Sequence, residues 1–320
     1  MKKTRLFFSF ILIFSIATFS TILFTKDTAQ AASTIYINDT TFALEVDHYR
    51  TLIIHGTTSR ASWRSSNNWV ASVSSNGKVT AKAPGTATIT ASVAGTKLTC
   101  KVTVVYINKK ALTLTPGKTS TLTITGTKSK VTWNSSDKSV ATVSSSGKIT
   151  TITPGTATIT ASVAGKEITC KITVVNINYN SIVLELGGKT GFIKTLKIND
   201  TTSKITWSSS NKSVATVSSS GLVTAKGAGT ATVTASVDGI KFTCKVKILK
   251  MSIKEFSLKP GDTKTLKISG TTSEVTWASN KKSVATVSSD GTVTPTAAGT
   301  ATIMGYVDGR TVTSKVTVLD

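Results

Sequence analysis

Three cysteines, two histidines and a scatter of serines and carboxylates are the side chains in this 320-residue sequence with reactive potential. Cys100, Cys170 and Cys244 are spaced 70 and 74 residues apart, which is too regular for a chance set and too distant for a local metal knot. A structural zinc site needs four thiolate or imidazole ligands, and His48 and His55 fall seven residues apart with no third ligand type beside them. Serine is abundant, but no Gly-x-Ser-x-Gly nucleophile elbow occurs and both histidines lie in one stretch. Paired carboxylates for glycoside chemistry do not recur, and carboxylate clusters of the kind calcium prefers are sparse. The expectation is a protein with no enzymatic activity and no cofactor or metal.

The alternation around the cysteines assigns them a different job. Leu98, Cys100, Val102 and Val104 occupy every second position, so they share one face of a strand. A lone buried thiol packs as a small hydrophobe. Each lies 37 residues after a tryptophan, in the order Trp63, Trp133 and Trp207, and Ser314 holds the matching place after Trp277. Cys100, Cys170, Cys244 and the four tryptophans are therefore expected to be core structural residues. Because each unit has at most one cysteine, no disulfide forms within a unit.

Trp69 stands apart. Its counterparts are Ser139, Ser213 and Ser283, in a polar loop, so it is expected to be exposed. An exposed aromatic can stack on a sugar or anchor a partner. Arg64 follows the core Trp63 at the other end of the same segment, and Tyr49, Arg60 and His48 also belong to this copy alone. Trp69, Arg64 and His48 are thus the candidate partner contacts, and Arg64 with Trp69 is expected to form one patch suited to an anionic sugar or a protein loop.

The elements that position these residues are written four times. Gly-Thr-Ala-Thr recurs at 85–88, 155–158, 229–232 and 299–302, and Ser-Val-Ala-Thr-Val-Ser-Ser at 139–145, 213–219 and 283–289. Period-two alternation runs through each unit. In the second, Ala157, Ile159, Ala161 and Val163 share a face, Ala164-Gly165 turns the chain, and Ile168, Cys170, Ile172 and Val174 return. Asn76-Gly77, Ser146-Gly147, Ser220-Gly221 and Asp290-Gly291 mark tight hairpins. Seven short strands in about 70 residues predict a two-sheet sandwich. The units expected are 32–105, 106–175, 176–249 and 250–320.

The Trp-x-Ser-(Ser/Asn) stretch, the Ser-Val-Ala-Thr-Val segment, the Ser-Ser-x-Gly turn and the Gly-Thr-Ala-Thr strand resemble group 2 bacterial immunoglobulin-like domains. The resemblance covers all four repeats. It implies an all-β fold of four tandem Ig-like seven-stranded β-sandwich domains, and a spacer or binding setting in adhesins, surface proteins, virion proteins or wall enzymes rather than a particular ligand.

Lys2, Lys3 and Arg5 precede an apolar run from Leu6 to Phe24, and Ala29-Gln30-Ala31 follows, the order of a secretory signal peptide over 1–31. The 19-residue run could span a bilayer if left uncleaved, which is the only membrane association expected. The chain has a net charge of +23, and loss of four basic residues and Asp27 with the leader would leave +20. The repeats hold about +4, +7, +6 and +3, mostly as lysine spread along the array. Nucleic acid would call for arginine and aromatics gathered on one face, so it is not the expected partner. An anionic cell-wall polymer, a carbohydrate or a host surface protein suits an exported basic protein better. The expected location is extracellular, secreted or associated with the wall or surface. The junction Val104-Val105-Tyr106-Ile107-Asn108 has neither Gly nor Pro, so limited bending and a rod on the order of 150 Å are expected. Adhesion or display is the function this reading favours. Its alternative is a secreted protein that binds wall polymer or carbohydrate through positive charge.

Overall fold

The structure is a computed structural model that describes residues 34–187 and 192–320. The predicted signal peptide lies outside the described residues. Every regular element among the described residues is a β-strand, and no helix there is long and apolar enough to cross a membrane.

One repeat explains all four. In the second, a four-stranded sheet places Ala111–Leu114 beside Lys166–Val174, then Gly155–Val163, then Thr132–Ser135. The first of these pairings is parallel and the others antiparallel. A three-stranded sheet, Thr119–Thr121, Lys148–Thr151 and Ala141–Val143, covers it. Each sheet presents one apolar face, and stacking the two buries both. The inward set along Gly155–Val163 is the predicted one, with Ala157, Ile159, Ala161 and Val163 buried. Hairpin chemistry sets the register. Ala164 and Gly165 both adopt positive φ, at 48° and 73°, as a two-residue turn matched to strand twist requires.

The buried residues gather into four separate cores. Ile37 to Val104 form the first, Val105 to Val174 the second, Val175 to Ile248 the third and Leu249 to Val318 the fourth. Val105, Val175 and Leu249 thus pack into the repeat that follows them. Between cores there is no spacer.

The Trp-x-Ser motif has a local reason. Ser65, Ser135, Ser209 and Ser279 each accept the backbone N–H two residues on, at 3.1 to 3.3 Å. In the first two repeats the hydroxyl also donates across the loop, to Ala71 O at 2.6 Å and Ala141 O at 2.7 Å. A hydroxyl that bonds its own backbone fastens an irregular crossing between the two sheets.

Candidate functional site

Cys100, Cys170 and Cys244 are fully buried and free. They stand opposite Ile89, Ile159 and Val233 in the central antiparallel pair. Burial pushes each thiol up to about 11, because the apolar surroundings penalise the thiolate. Trp63, Trp133, Trp207 and Trp277 are half-buried and pack against the edge of their cores. The hairpin glycine lies on each ring: a Cβ at Gly147 would meet Trp133 Cζ2 at 3.0 Å and Leu122 O at 2.3 Å. Among the described residues no three His, Cys, Asp or Glu side chains converge as a metal site would require.

Trp69 projects from the turn that follows the edge strand Ser62–Ser65 and is 87% exposed. Its own amide is tied to Asn67 Oδ1 at 3.0 Å, so a held backbone presents a free ring. Arg64 is exposed on that edge strand, opposite Thr90. It makes no cation–π contact with Trp69. His48 is exposed in the turn beside Asp47, whose φ is 69°, and its Nδ1 lies 3.2 Å from Val46 O.

The cations and aromatics of the first repeat meet elsewhere. Arg50 lies 5.2 Å over the Phe42 ring and is paired at 2.9 Å with Asp39. Lys78 Nζ sits 3.9 Å over the Tyr49 ring. The Tyr36 and His55 rings stack at 4.9 Å with an interplanar angle of 17°. Tyr49, Thr51, Ile53 and His55 are all exposed, while Leu52 between them is buried. The second repeat has Thr119, Thr121, Thr123 and Thr125 at the same places. Singling out Trp69, Arg64 and His48 missed this row. Comparing outward positions between copies, instead of scanning for exceptional residues, would have found it.

The pattern of the family described as bacterial Ig-like domain (group 2) matches four successive stretches, residues 25–103, 101–170, 171–248 and 245–318. No curated protein sequence matches the chain. Among solved structures, domains 1–6 of the surface layer protein SbsC are 18% identical over 91% of this chain and 55% of that one, with a TM-score of 0.21. The chain therefore spans about half the length of that structure. The insect immune protein hemolin is 15% identical over 89% of this chain and 99% of that one, with a TM-score of 0.24. Invasin, a bacterial integrin-binding protein, is 14% identical over 81% of this chain and 72% of that one, with a TM-score of 0.28. Likenesses this weak say nothing of what this chain binds. With four family matches in a row, four separate cores and one sandwich plan repeated in each, the chain belongs to the group 2 bacterial Ig-like domain family.

Proposed function

We propose that this chain is a non-enzymatic, exported bacterial surface protein whose tandem domains hold the first repeat toward a partner, in adhesion or display. Each repeat is its own folding unit in this reading, with boundaries near residues 105, 175 and 249. The observation that carries the proposal is Trp69, 87% exposed in a turn where the sister repeats have serine. Tyr36, Tyr49 and Ile53 add exposed apolar surface to the same repeat. Among the described residues the aromatics that are more than half exposed, Tyr36, Tyr49 and Trp69, all belong to this repeat, and large aromatics left in solvent are the residue type that anchors partners. Arg64 and His48, exposed in the same repeat, are the polar contacts proposed around that anchor. Membership of a family of extracellular and surface domains supports the location. A carbohydrate or a protein on a host or bacterial surface is the partner class proposed.

A second reading rests on charge. A net charge of +20 is spread over the four repeats, so an anionic wall polymer could be held without any one site. Binding of the full chain to wall polysaccharide and to host matrix protein, measured beside its Trp69→Ser variant, separates the two. The first reading expects at least about tenfold weaker binding by the variant with an unchanged melting temperature, as for an interface anchor. Equal binding by both chains, abolished by high salt, would overturn it in favour of charge.

A further inference from the structure

The three junctions between repeats are not built alike. At the first and third, a single strand of 12 residues runs through the boundary, Thr96–Ile107 and Ile240–Met251. At the second, the strand Lys166–Val174 stops and Asn176–Ile177 begins anew.

Four substitutions account for the difference. In the first and third repeats the opening strand reaches the linker, its last register pairs being Glu45 with Val105 and Glu185 with Leu249. The next amides, Val46 N and Leu186 N, donate to Val105 O and Leu249 O at 3.1 and 2.8 Å. In the second repeat that place is Pro116, which has no N–H to give, and the pairing ends at Leu114 with Val174. The same two junctions are crossed by ion pairs, Lys110 with Glu45 at 2.9 Å and Lys254 with Glu185, whose glutamates are largely buried. The second junction has Asn180 and Thr115 at those positions. Finally, Gly126 and Gly270 sit directly on the preceding repeat. A Cβ there would lie 2.0 Å from Val104 O or 1.9 Å from Ile248 O. The second junction has Asp200 instead, at φ 61°, and a residue with a Cβ cannot sit that close to a carbonyl oxygen.

We infer that the protein articulates at one place, with repeats one and two as one stiff arm, repeats three and four as the other, and a hinge at Val175. Val175 keeps its amide bond to Leu114 O at 2.9 Å and its side chain in the third core. That double anchor makes the joint bend rather than swivel. Across it, Thr113 Oγ1 bonds Asp238 Oδ2 at 2.8 Å, an exposed contact that is readily exchanged for water. The hinge lets the exposed aromatics of the first repeat sweep as part of a rigid pair. It does not depend on what that repeat binds.

The test uses the full chain with cysteines introduced in pairs at the matching exposed turns, Ser75→Cys with Ser145→Cys, Ser145→Cys with Ser219→Cys, and Ser219→Cys with Ser289→Cys. The native thiols are buried and should stay unlabelled under native conditions. Pulsed electron paramagnetic resonance on nitroxide labels should give a distance distribution about twice as wide for the 145/219 pair as for the other two, as a hinge between rigid bodies requires. Equal widths would overturn the inference. Grafting the third junction onto the second by Thr115→Glu, Pro116→Leu, Asn180→Lys and Asp200→Gly should narrow the 145/219 distribution to the others. The reverse change at the first junction, Glu45→Thr, Val46→Pro, Lys110→Asn and Gly126→Asp, should widen 75/145. Folded variants that leave the widths unmoved would remove these residues as the cause.

Discussion

Ser314 occupies the position that Cys100, Cys170 and Cys244 hold in the other repeats, and the exchange of one atom has a cost there. Its hydroxyl is buried, with the residue 1% exposed, and Oγ has no hydrogen-bond partner. The cysteine thiols lie 3.9 to 4.0 Å from the next carbonyl oxygen and are weakly polar, so desolvating them is cheap. An orphaned buried hydroxyl is not. Ser314→Cys should therefore stabilise the fourth repeat by about 1 kcal/mol, and Cys170→Ser should destabilise the second by a similar amount. Denaturant melts of the two variants against the parent chain read both signs. A loss of stability in Ser314→Cys would mean that the hydroxyl is satisfied after all.

At the scale of the element, the tryptophan and the hairpin glycine work together. The strand Thr132–Ser135 is an edge strand of the four-stranded sheet, and its Trp133 ring is half-buried between the core and the turn at Gly147. Gly147 has φ 79° and no room for a Cβ, with the backbone of Leu122 on one side and the ring on the other. That is a close approach only glycine allows. The ring thus closes one side of the sandwich and seats the hairpin that joins Ala141–Val143 to Lys148–Thr151. Trp133→Ala should cost about 3 kcal/mol, the low end for a tryptophan because part of the ring already faces water. Calorimetry of the full chain should show one repeat melting early while the others hold. A single unchanged transition would remove the ring from the core.

At the scale of the whole molecule, polar contacts join one repeat to the next. Asp308 of the fourth repeat takes Lys247 of the third at 2.7 Å, together with Thr271 and Ser273 at 2.7 and 2.8 Å. The Lys247 bond foremost, then the Thr271 hydroxyl, holds the Asp308 carboxyl down at about 2. A carboxyl lowered on folding contributes stability that is complete above its ordinary value of 3.8 and is lost as pH falls toward about 2. The third junction should therefore loosen in acid between those limits. Thermal melts from pH 5 down to 2 should show a steeper fall for the parent chain than for Asp308→Asn, the two converging at the acid end. Parallel curves would deny Asp308 this linkage.

The sandwich was legible in the chain because strand alternation and turn chemistry are local. Ala157, Ile159, Ala161 and Val163 repeat at period two, and Ala164-Gly165 and Ser146-Gly147 mark where the backbone reverses, so four copies of one pattern read as four sandwiches. The same logic exposed Trp69, since a tryptophan replacing serine in a polar loop has nothing to cover it. Pairing across the fold was not legible. Arg64 and Trp69 are five residues apart, yet Arg50 rests on Phe42, Lys78 on Tyr49 and His55 on Tyr36. Those partners are set by which strands lie side by side, a long-range outcome that spacing along the chain does not encode. The junctions followed the same division. The linker residues read alike at all three, while Pro116, Thr115, Asn180 and Asp200 become junction residues only because the parallel opening strand and the following turn are folded back onto the linker. Local rules wrote the domains, and tertiary contact decided which of their residues meet.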